Sequence, residues 1–288
     1  MPAEVDEKTL EVRTNYRSVL WTIMHTLCDL ETKNIDPHDA EKAGIQQRFM
    51  SSESNSDKPY FFIPYRDEYD EEKEDDYPTY EPDMEDRFNI QGLHFYMNSC
   101  FGAYPKDDNK PFGACYKDWA DLNLGELAEY SKYHWRASST CFALPTHERL
   151  PHMKCLMESE VTGDNRLLRG ELIAIVKIMT ARLNTKSFRP HTVAPVSYCS
   201  FSKDDIYLIH HVWSSANRNC HSGYVIFHNG STTTSCLEAY FNGKNLIIRK
   251  TKLYDMKQED TATIDLLLRW WFGFAVGETK SVKTAPLP

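Results

Sequence analysis

Three side chains offer this sequence its most accessible chemistry: His210, Tyr240 and Glu171. A histidine facing a pocket serves as hydrogen-bond donor or general acid near neutral pH. A tyrosine hydroxyl beside it can hold a substrate carbonyl. Glu171 falls at the edge of the apolar stripe of a helix read over 166–183, close to Ile178 and Arg182 at 100° per residue. Around them the C-terminal third is rich in rings. Tyr198, Tyr207, Trp213 and Phe227 are the candidate walls of a binding pocket. Strand alternation puts Tyr207 and Trp213 on one face, opposite His210.

Other chemistries find no support in the pattern. His210 and His211 are adjacent on an expected strand, so they point to opposite faces and cannot share an ion. His191, His210, His221 and His228 have no spacing that demands a metal centre, and none is expected. Eight cysteines occur without a Cys-x-x-Cys pair, which points to small buried hydrophobes and not to zinc or thioredoxin-like centres. GxGxxG, GxxxxGK[ST], HExxH and GxSxG are all absent, so no nucleotide, dinucleotide, zinc-protease or α/β-hydrolase reading follows, and no cofactor is expected.

These residues need elements to hold them. Apolar residues recur at three and four over 5–33, the mark of a long amphipathic helix. Asp36 and Pro37 open a second helix that fades by Phe49. Alternation over 88–97 predicts a strand, and 122–135 a helix. Strands are expected at 141–144, 153–161, 192–201, 206–213, 223–228, 236–241 and 245–253, the last two joined by a tight turn at Asn242-Gly243. A closing helix spans 264–272, capped at Asp260 or Thr261 and stopped by Gly273. The expected fold is α+β: N-terminal helices packed on a mainly antiparallel sheet, with a helix–meander–helix order in the C-terminal half. The expected parts are a helical segment at 1–66, an acidic loop at 67–86 and an α+β domain at 87–288.

Charge sharpens that division. The chain of 288 residues carries a formal charge of −9, yet 67–86 holds 12 carboxylates against one lysine, so the remainder is close to neutral. With no basic run to neutralise phosphates, nucleic acid is not an expected partner. No stretch of about 18 apolar residues is present to span a membrane. Residues 1–14 lack the apolar core of a secretory signal, so the expected location is cytoplasmic.

Arg169-Gly170-Glu171-Leu172, the run His191 to Val196, and Leu237 to Gly243 followed by Leu246-Ile247-Ile248-Arg249 resemble a set of uncharacterised fungal proteins over about 166–277. That family has no activity to carry over. The helix–meander–helix order also resembles restriction-endonuclease-like cores. That resemblance implies that Glu171 would be the helical acid and Glu238 a strand acid. Where Glu-x-Lys should follow, the next strand offers Arg249-Lys250-Thr251-Lys252, which leaves the metal-binding set incomplete.

Two functions are therefore expected. The first is a cofactor-independent enzyme of fungal secondary metabolism that folds an apolar small molecule in an aromatic pocket. It would be a cyclase or isomerase of the pericyclic ring-closing kind, working through orientation. The alternative is a non-catalytic degenerate nuclease-like or protein-interaction module. A closed apolar cavity would favour the enzyme; a filled core with an open groove would favour the interaction module.

Overall fold

The computed structural model describes residues 5–51, 57–70, 76–81, 86–107, 112–117, 124–128, 135–143, 150–203 and 232–280. The chain opens with α1 (Glu7–Asp29), whose N-terminus is closed by Asp6 accepting from the Thr9 amide at 2.8 Å. Its buried residues Tyr16, Leu20, Ile23 and Leu27 fall at the expected spacing of three and four. Leu20 is fully enclosed, and its truncation to alanine would cost about 3 kcal/mol.

After β1 (Asn34–Ile35) comes α2 (Pro37–Lys42), with proline in its first turn. It is shorter than the sequence suggested. What reads as a fading helix tail is β2 (Ile45–Phe49). Short strands β3 (Phe62–Ile63) and β4 (Tyr69–Asp70) precede α3 (Asp86–Cys100). This helix replaces the strand expected over 88–97. Ile90, Leu93, Met97 and Cys100 share its buried face, while Phe88 and Phe95, which created the apparent alternation, are 43 % and 60 % exposed.

Next come β5 (Tyr104–Pro105), β6 (Ala114–Lys117) and a single 3-10 turn at Gly125–Ala128. The helix expected over 122–135 is corrected where the residues are described, at the 3-10 turn and at Trp135, which begins β7 (Trp135–Ala143); 122–123 and 129–134 lie outside the described residues. Then follow β8 (Met153–Thr162), β9 (Leu167–Leu168), α4 (Arg169–Asn184), β10 (Val196–Lys203), β11 (Thr232–Phe241), β12 (Leu246–Lys250), β13 (Tyr254–Asp255), α5 (Thr261–Phe272) and β14 (Phe274–Ala275). The expected strands 206–213 and 223–228 lie outside the described residues.

The main sheet runs β2-β12-β11-β10-β8-β7-β6, with β13 added to β11. Most neighbours are antiparallel. Two are parallel: β8 with β10, crossed by α4, and β12 with β2. The fold is α+β with a mixed sheet, more than a plain meander. The turn from β11 to β12 contains Gly243 at φ +94°, where a Cβ would lie 2.5 Å from the Tyr16 hydroxyl.

Alternation divides the sheet into two faces. Met157, Tyr198, Leu237, Phe241 and Ile248 pack beneath α1 and α4. Cys141, Leu156, Cys199 and Cys236 face the other way, against Leu93 and Met97 of α3 and Leu267, Leu268 and Trp271 of α5. The acidic segment is not a plain solvated loop. Tyr69 donates to Asp265 at 2.7 Å and Tyr77 donates to the Met256 carbonyl at 2.5 Å, so its tyrosines anchor it beside α5. Among the described residues no helix is long and apolar enough to cross a membrane.

Candidate functional site

Inside the sheet, charged side chains are committed to holding the chain together. Glu238 of β11 is fully buried. Its carboxylate accepts from the amides of Tyr60 (2.9 Å) and Phe61 (2.7 Å) and meets Arg249 of β12 at 3.4 Å. The Arg249 guanidinium lies over the Tyr60 ring, 3.9 Å from its centre, and donates to the Lys58 carbonyl. Burial raises the Glu238 carboxyl, against the pull of those amides and of Arg249. Together they clamp residues 58–61 to the sheet.

Lys154 of β8 is equally enclosed and donates to the carbonyls of Trp271 (2.6 Å) and Gly273 at the C-terminus of α5. A cation there completes the last turn and opposes the helix dipole. Burial lowers its pKa to about 8. On the same face Glu158 meets Arg136 at 3.0 Å and His94 of α3 at 3.0 Å. Burial raises Glu158 and, with the nearby Arg136 charge, pushes His94 down to about 4.

The expected catalytic set does not assemble among the described residues. Glu171 is buried at the third position of α4, where its carboxylate accepts from the Leu168 amide at 3.2 Å and caps the helix. Tyr198 is fully buried, with its hydroxyl on Met157 Sδ. Tyr240 packs against Phe61, ring centres 5.1 Å apart, on the opposite face of the sheet from Tyr198. One pocket therefore cannot contain both tyrosines. Glu171 and Glu238 are likewise separated by the sheet, so the nuclease-like pair of acids does not converge. His210, Tyr207, Trp213 and Phe227 lie outside the described residues, as do His221 and His228. His191 is buried, its Nδ1 2.6 Å from the Thr279 hydroxyl. No group of three or more metal-ligating side chains occurs among the described residues.

The outer rim of the sheet is built differently. β2 is an edge strand: β12 pairs with one side of it, and no described strand pairs with the other. Its register sets Phe49 beside Lys250 and Arg48 beside Arg249. Residues alternate, so Gln47 and Phe49 share the α1/α4 face while Gln46 and Arg48 turn to the other. Beside this edge lies an open groove of about 840 Å³. Arg48, Arg166, Lys250 and Lys252 bring four positive charges to its lining, and Glu41 is the one acid among its described lining residues. Phe49 is 58 % exposed.

These cations are not equivalent. Lys250 is buried and donates to the Asp164 and Arg166 carbonyls at 3.2 and 2.8 Å, which fixes the groove wall. Arg166 is paired with Asp36 at 3.0 Å and Asp164 at 2.6 Å. Asp36 is thus drawn off the capping role its position suggested. Arg48 donates to Gln46 at 3.3 Å, and Lys252 is exposed beside the Tyr254 ring. Arg48 and Lys252 are the charges an anionic partner can reach.

Sequence reasoning missed this site. In the sequence, Arg249 to Lys252 reads only as an incomplete acid motif, and Gln46 to Phe49 as the tail of a helix. Their juxtaposition depends on a parallel pairing between the two ends of the chain.

A second, more apolar groove of about 380 Å³ runs between residues 58–66 and α5, walled by Phe62, Ile63, Tyr65 and Leu266 with Arg269 among its lining. Arg269 is held by Asp265 at 2.8 Å and by the Tyr65 carbonyl at 3.3 Å. No family model matches the chain, and neither do any curated protein or solved structure.

Proposed function

We propose that the chain is a binding module whose β2 edge accepts an extended acidic peptide as an added strand. The observation behind this reading is the open side of β2 beside a cationic groove. An edge strand presents a row of backbone donors and acceptors that another extended segment can complete. Specificity would come from alternate side chains: acids facing Arg48 and Lys252, and an apolar residue on Phe49. A peptide suits the groove better than a phosphate backbone, because Asp36, Glu41 and Asp164 stand close to its cations and would repel continuous negative charge.

The test is fluorescence anisotropy with a labelled peptide of alternating glutamate and valine. Binding should weaken with salt and fall at least about tenfold in Lys252→Glu, since exchanging attraction for repulsion at one close charge is worth more than 1.4 kcal/mol. A chain that ignores this peptide, or binds its lysine–valine counterpart equally well, does not work this way.

The second reading keeps the cofactor-independent cyclase or isomerase. The groove along 58–66 favours it, since Phe62, Ile63, Tyr65 and Leu266 give it apolar walls, and Lys58, Arg66 and Arg269 offer donors to a polar group on an otherwise apolar substrate. Polyenes and terpene aldehydes left unchanged by the purified chain relative to buffer would remove it.

A further inference from the structure

Cys199 and Cys236 sit directly opposite one another on the antiparallel strands β10 and β11. Their sulfurs are 3.5 Å apart and both side chains are buried. The backbone of Cys236 settles which kind of pair this is. Its N–H bonds the Thr251 hydroxyl at 3.0 Å, and its carbonyl accepts from the Thr251 amide at 3.0 Å. In a strand both groups of one residue point the same way, so those of Cys236 point away from β10. The pair therefore occupies a non-hydrogen-bonded position, where opposing Cα atoms approach to roughly 4.5 Å. That spacing lies within the range a disulfide requires.

We propose that Cys199 and Cys236 are an oxidation site, closed by peroxide into a cross-strand disulfide that staples β10 to β11. One sulfur, as thiolate, attacks a peroxide oxygen; the O–O bond breaks, and hydroxide leaves as water with the thiol's proton. The second sulfur then displaces the sulfenic hydroxyl as a second water, taking up its own proton. Two S–H bonds and one O–O bond break, one S–S bond forms, and two electrons pass from sulfur to peroxide. The hydrogen bond with Cys199 and burial raise the Cys236 thiol, so Cys199 is the sulfur that attacks first, with Lys154 on the same face of the adjoining β8. The bond would join residues 37 apart in the chain.

The experiment is peroxide treatment of the full chain, alkylation of remaining thiols in denaturant, and non-reducing peptide mapping. A linked peptide containing Cys199 and Cys236 is expected, together with a rise in Tm of about 5 °C that dithiothreitol reverses. Cys236→Ser should abolish both changes. Recovery of both cysteines as alkylated thiols, or a link from either to Cys141 or Cys155, overturns the assignment. The map is read on the unsubstituted chain, so it decides the question even if the variant fails to fold.

Discussion

The Glu238 clamp and the β2 edge lie a strand or two apart in one sheet, and both are built from acids, arginines and aromatics. At the clamp every charge is enclosed and already committed: Glu238 to two amides and Arg249, Arg249 to a ring and a carbonyl. At the edge, Arg48 and Lys252 line an open groove beside an exposed Phe49. A buried charge that loses its partner is costly, whereas an exposed one is energetically cheap to change. The same residue types thus perform two tasks, and burial decides which. Chemistry toward a partner belongs at the edge.

The largest effect that could break this contrast is at the clamp. Glu238→Ala should destabilise the chain by about 4 kcal/mol, read from denaturant unfolding, because buried Arg249 loses its counter-charge and two amides lose their acceptor. A loss under 1 kcal/mol would mean that water reaches the clamp and that it resembles the edge.

Acid should act next. His152 is fully buried, its Nε2 2.8 Å from the Val276 carbonyl, and burial holds its pKa down to about 3. In the unfolded chain the same ring protonates near pH 6.5, so the unfolded state binds the proton first. Stability is therefore intact above about pH 6.5 and is lost as pH falls from there toward 3. The loss is on the order of 4 kcal/mol by pH 3. His94, held near 4, adds to it between 6.5 and 4. Glu158, raised by burial, works in the opposite direction and limits the loss. His152→Gln, which keeps a donor for Val276, should flatten the slope of Tm against pH between 7 and 4.

A smaller effect tests the acidic segment. Tyr77→Phe removes the donor to the Met256 carbonyl and should cost about 1 kcal/mol in the same denaturant measurement. No change at all would make that segment a solvated loop after all.

Smallest of all should be the edge. Lys252→Ala should shift stability by no more than about 0.5 kcal/mol while weakening acidic-peptide binding. A large stability loss would place Lys252 with the clamp residues.

How much of this the sequence disclosed depends on the range of the contacts involved. α1 is legible because it buries one stripe with local period, α4 because its apolar residues recur over a long run, and α5 because the cap at Asp260 marks its start. α3 was hidden by exposed Phe88 and Phe95, which imitate alternation. β2 was hidden because five residues carry little pattern, and its partner β12 lies at the other end of the chain. For the site, the sequence offers Glu171 and Tyr240 as catalytic candidates and Tyr198 as a pocket wall. Their packing is not legible there, because a helix cap and two buried tyrosines have the same residue types as a donor set and its pocket wall. Lys250 and Lys252 were in view, and only the placement of Phe49 and Arg48 beside them reveals a groove.

Hydrogen–deuterium exchange of the β2 amides, with and without the glutamate–valine peptide, tests strand addition most directly. Amides from Ile45 to Phe49 should slow when the peptide is bound, because an added strand takes up the outward N–H groups. Unchanged exchange over β2 with protection elsewhere, such as along 58–66, would contradict the account.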